Sequence, residues 1–204
     1  MERTSPGCPL TIPASVVSIV PLTTDCITGV LALDGTITVK NLAVPRLDHG
    51  VLSFDVRAVR PFAKRYGQSL DDPVKFIERP DQAGFVAKVG NRIVGCLLIS
   101  EHWNRRSWID GLVVESGSRR LGAGRALMAQ AEAWTRSRGL PGIMLETQNV
   151  NVAACRFYER CGFLLGGFDQ RLYRGFDPDT IEVALYWYRD LGEVSDQENR
   201  TDRG

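Results

Sequence analysis

At 204 residues and a formal net charge of +1, the chain suits one α/β domain with a proper core and is short for two. The near-neutral charge gives no global field toward nucleic acid or a membrane, so any charged partner has to be read by a local site. Five cysteines (Cys8, Cys26, Cys96, Cys155, Cys161) without CxxC spacing, joined only by His49 and His102, offer neither a zinc pattern nor a disulfide framework; a reduced, cytoplasmic protein without a metal is expected.

Residues 1–20 read as a flexible arm, 21–191 as a single domain and 192–204 as a disordered, polar tail. Prolines and polar residues interrupt the arm where a signal peptide needs an unbroken apolar run, and no stretch reaches the length of a membrane span. A short helical or irregular segment is expected over 23–33. Thr36–Val44 and Val51–Val59 alternate as strands around a turn at Asp48–Gly50, and 60–81 reads as a surface connection with one short helix near Val74–Glu78. Gly84–Val89 and Arg92–Ser100 form a hairpin through Gly90–Asn91, followed by a strand at Ser107–Val114. From Arg120 the period changes: Leu127, Ala131 and Trp134 recur at i, i+4 and i+7, giving a helix that stops at Gly139. A strand at Gly142–Gln148, a helix over Val150–Cys161 and strands at Phe163–Tyr173 and Ile181–Tyr188 complete the series. Antiparallel meanders followed by a βαβα order predict a mixed sheet flanked by helices.

Two stretches carry chemistry. The run Arg119-Arg120-Leu121-Gly122-Ala123-Gly124-Arg125 lies between a strand and a helix start. Free N–H groups in a helix's first turn and the helix dipole attract anions, and glycines let a diphosphate approach the backbone. Taken alone, the run reads rather as a glycine-containing turn beside a solvated arginine cluster. Further along, Asn151, Ala154, Cys155 and Tyr158 share one helix face. A phenol there keeps its proton at neutral pH and can pass it to a leaving thiolate; alone, it reads rather as a packing residue. Cys155 has no apparent base beside it and reads as a small buried residue.

In combination, Val-Val, Arg-Arg-Leu-Gly-Ala-Gly, a helix, a strand and Asn-x-x-Ala-x-x-x-Tyr-x-x-x-Gly-Phe resemble the acetyl-CoA core of the GNAT superfamily over about residues 84–188. Trp103-Asn104, Asp110, Leu145–Gln148, Ala154-Cys155, Leu165–Asp169, Leu172-Tyr173 and Glu182–Tyr188 are similar to the streptothricin acetyltransferases, the group that includes nourseothricin-resistance enzymes. Weaker similarity, including Pro61–Tyr66, reaches upstream to about residue 36. One departure is the run Ser69–Arg79, which mixes both signs where the family carries an acidic stretch.

The resemblance implies the GNAT fold: a mixed, mostly antiparallel central sheet flanked by helices, with splayed central strands. It implies acetyl-CoA as co-substrate. Leu112, Val113 and Val114 would pair with the pantetheine arm, with an amide near Val113 polarising the thioester carbonyl. Arg119, Arg120, Leu121, Gly122, Ala123, Gly124 and Arg125 would hold the pyrophosphate, Asn151 the CoA arm, and Tyr158 would protonate the departing thiolate. An attacking amine must first lose a proton, and Asp110 and Glu146 lie on the strands that flank the acetyl site in this fold. Asp110 is the candidate base or water-orienter and Glu146 the candidate ammonium anchor. Asp169 and Glu182 would complete an acidic pocket, with Trp103, Asn104, Tyr173 and Tyr186 around it; Asp169, after Gly166-Gly167, reads equally as an Asx turn. The expected acceptor is the β-lysine arm of a streptothricin. Another amine (a protein N-terminus, a polyamine or an aminoglycoside) and a non-catalytic acetyl-CoA-binding module are the alternatives. A small-molecule partner is expected, no nucleic acid or membrane is, and a homodimer stays open.

Overall fold

The computed structural model describes residues 17–66 and 72–192. Its strands are β1 (Val17–Pro21), β2 (Ile37–Asp48), β3 (Val51–Lys64), β4 (Gln82–Val89), β5 (Arg92–Glu101), β6 (Ser107–Val114), β7 (Gly142–Gln148), β8 (Leu164–Asp169) and β9 (Ala184–Asp190). Its helices are α1 (Ile27–Leu31), α2 (Lys75–Glu78), α3 (Ala123–Ser137) and α4 (Val152–Arg160). One sheet runs β1-β4-β5-β6-β7-β9-β8, and β2–β3 forms a separate hairpin. Every pairing is antiparallel except β6–β7. This is the mixed, mostly antiparallel sheet with flanking helices that the sequence predicts. No helix among the described residues is long and apolar enough to cross a membrane.

Differences from the sequence reading fall at the ends of elements. Part of the expected arm is a strand: Val17–Pro21 pairs with β4 as the sheet's edge. Its five residues include Ser18 and a proline, too short a pattern to separate from an irregular arm. Residues 1–16 and the expected tail from 193 lie outside the described residues. The surface connection begins later than expected, because β3 continues through Pro61 to Lys64. A proline fits there because the register shifts between Val39↔Phe62 and Asn41↔Ala58, which leaves Pro61 without a ladder partner. The strand expected over Phe163–Tyr173 ends at Asp169 and gives way to a 3-10 turn at Leu172–Gly175.

Two cores sandwich the sheet. One packs Leu97, Ile99, Ile109, Ile143 and Leu145 against Leu127, Met128 and Ala131 of α3 and Cys155 and Tyr158 of α4. The other packs Cys96, Leu98 and Val113 against Val30 of α1 and the neighbouring Leu22, Cys26 and Leu33. Ile109 and Val113 are four residues apart on one strand, so regular alternation would send both to the same face. They enter opposite cores because β6 carries a bulge. Leu98 pairs with Gly111 and Ile99 with Ile109, leaving Asp110 as the extra residue.

Candidate active site

The bulge coincides with a division in the sheet. β6 and β7 pair only through Ser107–Ile109 and Ile143–Leu145. Beyond these residues the strands separate, and a cavity of about 630 Å³ opens between them. Ile109–Val114 borders one side and Leu145–Gln148 the other, with Gly122, Gly124 and Arg125, Asn151, and Phe157 and Tyr158 closing it. The backbone of Gly111–Val114 is bonded to β5 on one edge only. The other edge is a row of donors and acceptors for an extended ligand.

At the end of this edge lies an anion cradle. Arg120 (φ +67°) and Gly122 (φ +89°) both have left-handed backbones. Gly122 caps α3 without a side-chain bond, so the N–H groups of the first turn remain for a ligand. Holding a non-glycine residue such as Arg120 in this region costs on the order of 1–3 kcal/mol, a strain found most often at functional sites. Gly124 serves differently: a Cβ there would lie 3.3 Å from the Phe157 ring. Arg119, expected on a phosphate, donates to the carbonyls of Val114 (3.4 Å), Gly35 (3.5 Å) and Thr36 (3.1 Å). It ties the start of β2 to the cavity rim. Leu121 is exposed and Ala123 buried in the core, and neither borders the cavity; of these two, the turn supplies backbone only.

Asn151 borders the cavity, but it precedes α4 rather than sharing its face. Its Oδ1 accepts from Ala154 N–H at 3.1 Å as the helix N-cap. Tyr158 is buried among Phe157, Phe163 and Trp187. Burial chiefly, and the groups at Cys155 and Glu146 secondarily, raise its pKa, so it holds its proton. Burial likewise pushes the Cys155 thiol up to about 12, which leaves it neutral and unreactive.

Asp110 is turned out by the bulge and accepts from Ser100 Oγ at 2.8 Å. Burial raises its pKa against the lowering effect of that bond. Glu146, across the cavity, is pushed up to about 7, chiefly by burial and also by the charge of Glu182; the Tyr173 hydroxyl, donating to Oε1 at 2.5 Å, opposes this. Glu146 can therefore take up a proton near neutrality, and burial shifts Asp110 in the same direction.

Several expected substrate residues lie elsewhere. Trp103 is 88% exposed on the β5–β6 turn and does not border the cavity. Asn104 is spent within that turn, accepting from Arg106 N–H and donating to Met144 Sδ. Asp169 makes the Asx turn: Oδ1 accepts from the N–H groups of Arg171 (2.6 Å) and Leu172 (3.1 Å). It acts through Tyr173, which the turn delivers to Glu146. Glu182 is half-buried in an ion pair with Lys64 from the end of β3, so it is not a free carboxylate. Sequence reasoning missed Tyr66, which borders the cavity. Its buried hydroxyl has no hydrogen-bond partner among the described residues. Gly35 fixes this segment, because a Cβ there would lie 2.1 Å from the Tyr66 carbonyl oxygen. A lone tyrosine after a strand gives no signal of this kind; only the resemblance over Pro61–Tyr66 touched it.

No group of three or more His, Cys, Asp or Glu that could hold a metal occurs among the described residues. Residues 54–163 match the acetyltransferase (GNAT) family. The chain is 33% identical over 146 residues to streptothricin acetyltransferase A of Bacillus subtilis (strain 168), covering 71% of this chain and 83% of that one. It is 36% identical to streptothricin acetyltransferase of Escherichia coli, over 69% of this chain and 77% of the relative. A Bacillus anthracis str. Ames structure in complex with acetyl coenzyme A superposes with TM-score 0.81 at 35% identity, covering 86% of this chain and all of that one. A nourseothricin acetyltransferase structure gives TM-score 0.72 at 30% identity, covering 86% and 99%.

Proposed function

We propose that this chain, which belongs to the acetyltransferase (GNAT) family, moves the acetyl group of acetyl-CoA onto an amine of a streptothricin-class antibiotic. That it is an acetyl-CoA-dependent acetyltransferase follows from the family and the fold. The acceptor is our reading, supported by two relatives named for streptothricin. One observation carries it: the division between β6 and β7 sets Asp110 and Glu146 on opposite sides of a cavity that Tyr158 also borders.

The pyrophosphate lies on the cradle at Gly122, with Arg120 and Arg125 beside it. The pantetheine arm pairs with the open edge of Leu112–Val114, and Asn151 contacts it. A β-lysine ammonium, free base only to about one part in a thousand at neutral pH, is held by Glu146 and gives a proton to Asp110, directly or through water. The neutral amine attacks the thioester carbon, while an N–H near Val113 stabilises the oxyanion. The carbon–sulfur bond breaks, the thiolate takes the Tyr158 proton, and the proton shed by the acylated nitrogen restores the phenol.

Thiol release from acetyl-CoA, measured with nourseothricin, spermidine, an aminoglycoside and a peptide N-terminus, tests the acceptor. Nourseothricin is expected to give the highest kcat/KM. No release with nourseothricin beside turnover of another amine overturns the streptothricin reading.

A further inference from the structure

Three segments distant in sequence meet behind Glu146. Tyr173 comes from the 3-10 turn, Glu182 from the residues before β9, and Lys64 with Tyr66 from the end of β3. Lys64 is paired with Glu182, and its Nζ also lies 5.9 Å from the centre of the Tyr66 ring. The groups around Glu146 are thus the phenols of Tyr173, of Tyr186 (its register partner on β9), of Tyr66 and of Tyr158, and the Cys155 thiol. Burial, foremost, keeps these neutral. The charged groups are Glu182, with Lys64 against it, and Asp110 on the β6 side of the cavity. Lys64 therefore stands where an ammonium from outside would otherwise be drawn.

We propose that Lys64 is a positioning residue for the acceptor end: by neutralising Glu182 it decides whether Glu146 meets an incoming ammonium as a carboxylate or as an acid. The argument rests on Glu146 being the acceptor's anchor. With Lys64 in place, Glu182 repels a second negative charge less, and Glu146 ionises within the range where an enzyme works. Without Lys64, the bare Glu182 carboxylate keeps Glu146 protonated to higher pH, and the anchor is lost near neutrality. Without Glu182, the negative charge that raises Glu146 is gone, and the anchor persists to lower pH. The two halves of one ion pair thus act in opposite directions. A pair that only braces the hairpin would not do this.

The experiment titrates Glu146 itself, by carbon NMR of protein labelled at the glutamate carboxyl carbon, with the signal assigned through Glu146→Gln. Expected is a midpoint above wild type in Lys64→Met, below it in Glu182→Gln, and between these in the double variant, with single-variant shifts of about half a unit or more. Glu182→Gln keeps the side chain's shape, so it decides the matter even if Lys64→Met fails to fold. Unchanged midpoints, or shifts in the same direction, overturn the proposal. Because the titration needs no acceptor, it stands apart from the substrate assignment. If the wild type turns over nourseothricin, the rising limb of its kcat/KM profile must move with each midpoint. If no amine is turned over, only the acceptor reading fails.

Discussion

The two sides of the cavity are built by different means. The side proposed for acetyl-CoA comes from Ile109–Arg125, one continuous stretch, and most of what it offers is backbone: an open strand edge, a left-handed turn and free helix N–H groups. The side proposed for the acceptor rests on side chains from four segments: Tyr66 and Glu146 border the cavity, and Tyr173, Glu182 and Lys64 stand behind Glu146. A backbone site is set by local conformation, so it survives most substitutions and fails at its glycines. A side-chain site is set by burial and charge, so it can be altered one group at a time.

The largest effect is expected where the backbone cannot adapt. Gly122→Asp places a side chain at φ +89° and a negative charge on the cradle, and acetyl-CoA affinity should fall by about a hundredfold or more by calorimetry. Near-native affinity would break the contrast between the two sides. Next, Tyr158→Phe keeps the ring among Phe157, Phe163 and Trp187 and removes the proton. Turnover should drop roughly 10²–10⁴-fold with little change in acetyl-CoA affinity. Turnover within a few-fold of wild type across the pH range would make Tyr158 a packing residue.

Glu146→Gln sharpens the comparison through pH. In the folded protein Glu146 is raised from 4.5 to about 7. Between these values the folded state holds a proton that the unfolded chain releases, so Glu146's favourable contribution is present below pH 4.5 and lost as pH rises through about 7. The substitution removes that loss. Glu146→Gln should therefore melt higher than wild type at pH 8 but not at pH 4, while acceptor kcat/KM drops by about tenfold or more. A lower melting point at pH 8 would make Glu146 a structural group. The smallest effect belongs to Trp103→Ala. Its 88% exposure outside the cavity predicts KM values for both substrates within about twofold of wild type. A large rise in acceptor KM would return Trp103 to the site.

This division also explains what could be read from sequence. Glycine spacing, helix period and strand alternation are local, so β6, the turn and α3 were legible nearly to the residue. Asp110 and Glu146 were legible because their strands were. The Asx turn at Asp169 was legible as one of two readings, whereas the fates of Asn104 and Glu182 were not, since each depends on what a distant segment brings: a Met144 sulfur or a Lys64 ammonium. The same holds for Tyr66, whose place depends on the absence of a Cβ at Gly35. β1 was missed because five edge residues carry too little pattern.

The extra residue in β6 makes position 110 unlike its neighbours. Replacing the carboxylate changes one functional group. Deleting the residue would let β5 and β6 pair in continuous register with Gly111 still opposite Leu98 and Val113 still opposite Cys96, so the side chains from Gly111 to Val114 would keep their faces and only the bulge would be lost. Val113 would stay in the core with Cys96 and Leu98, and Leu112 would stay against the other with Leu97. Neither core therefore demands the extra residue; what it serves is the site, by placing an unpaired Asp110 just where β6 parts from β7.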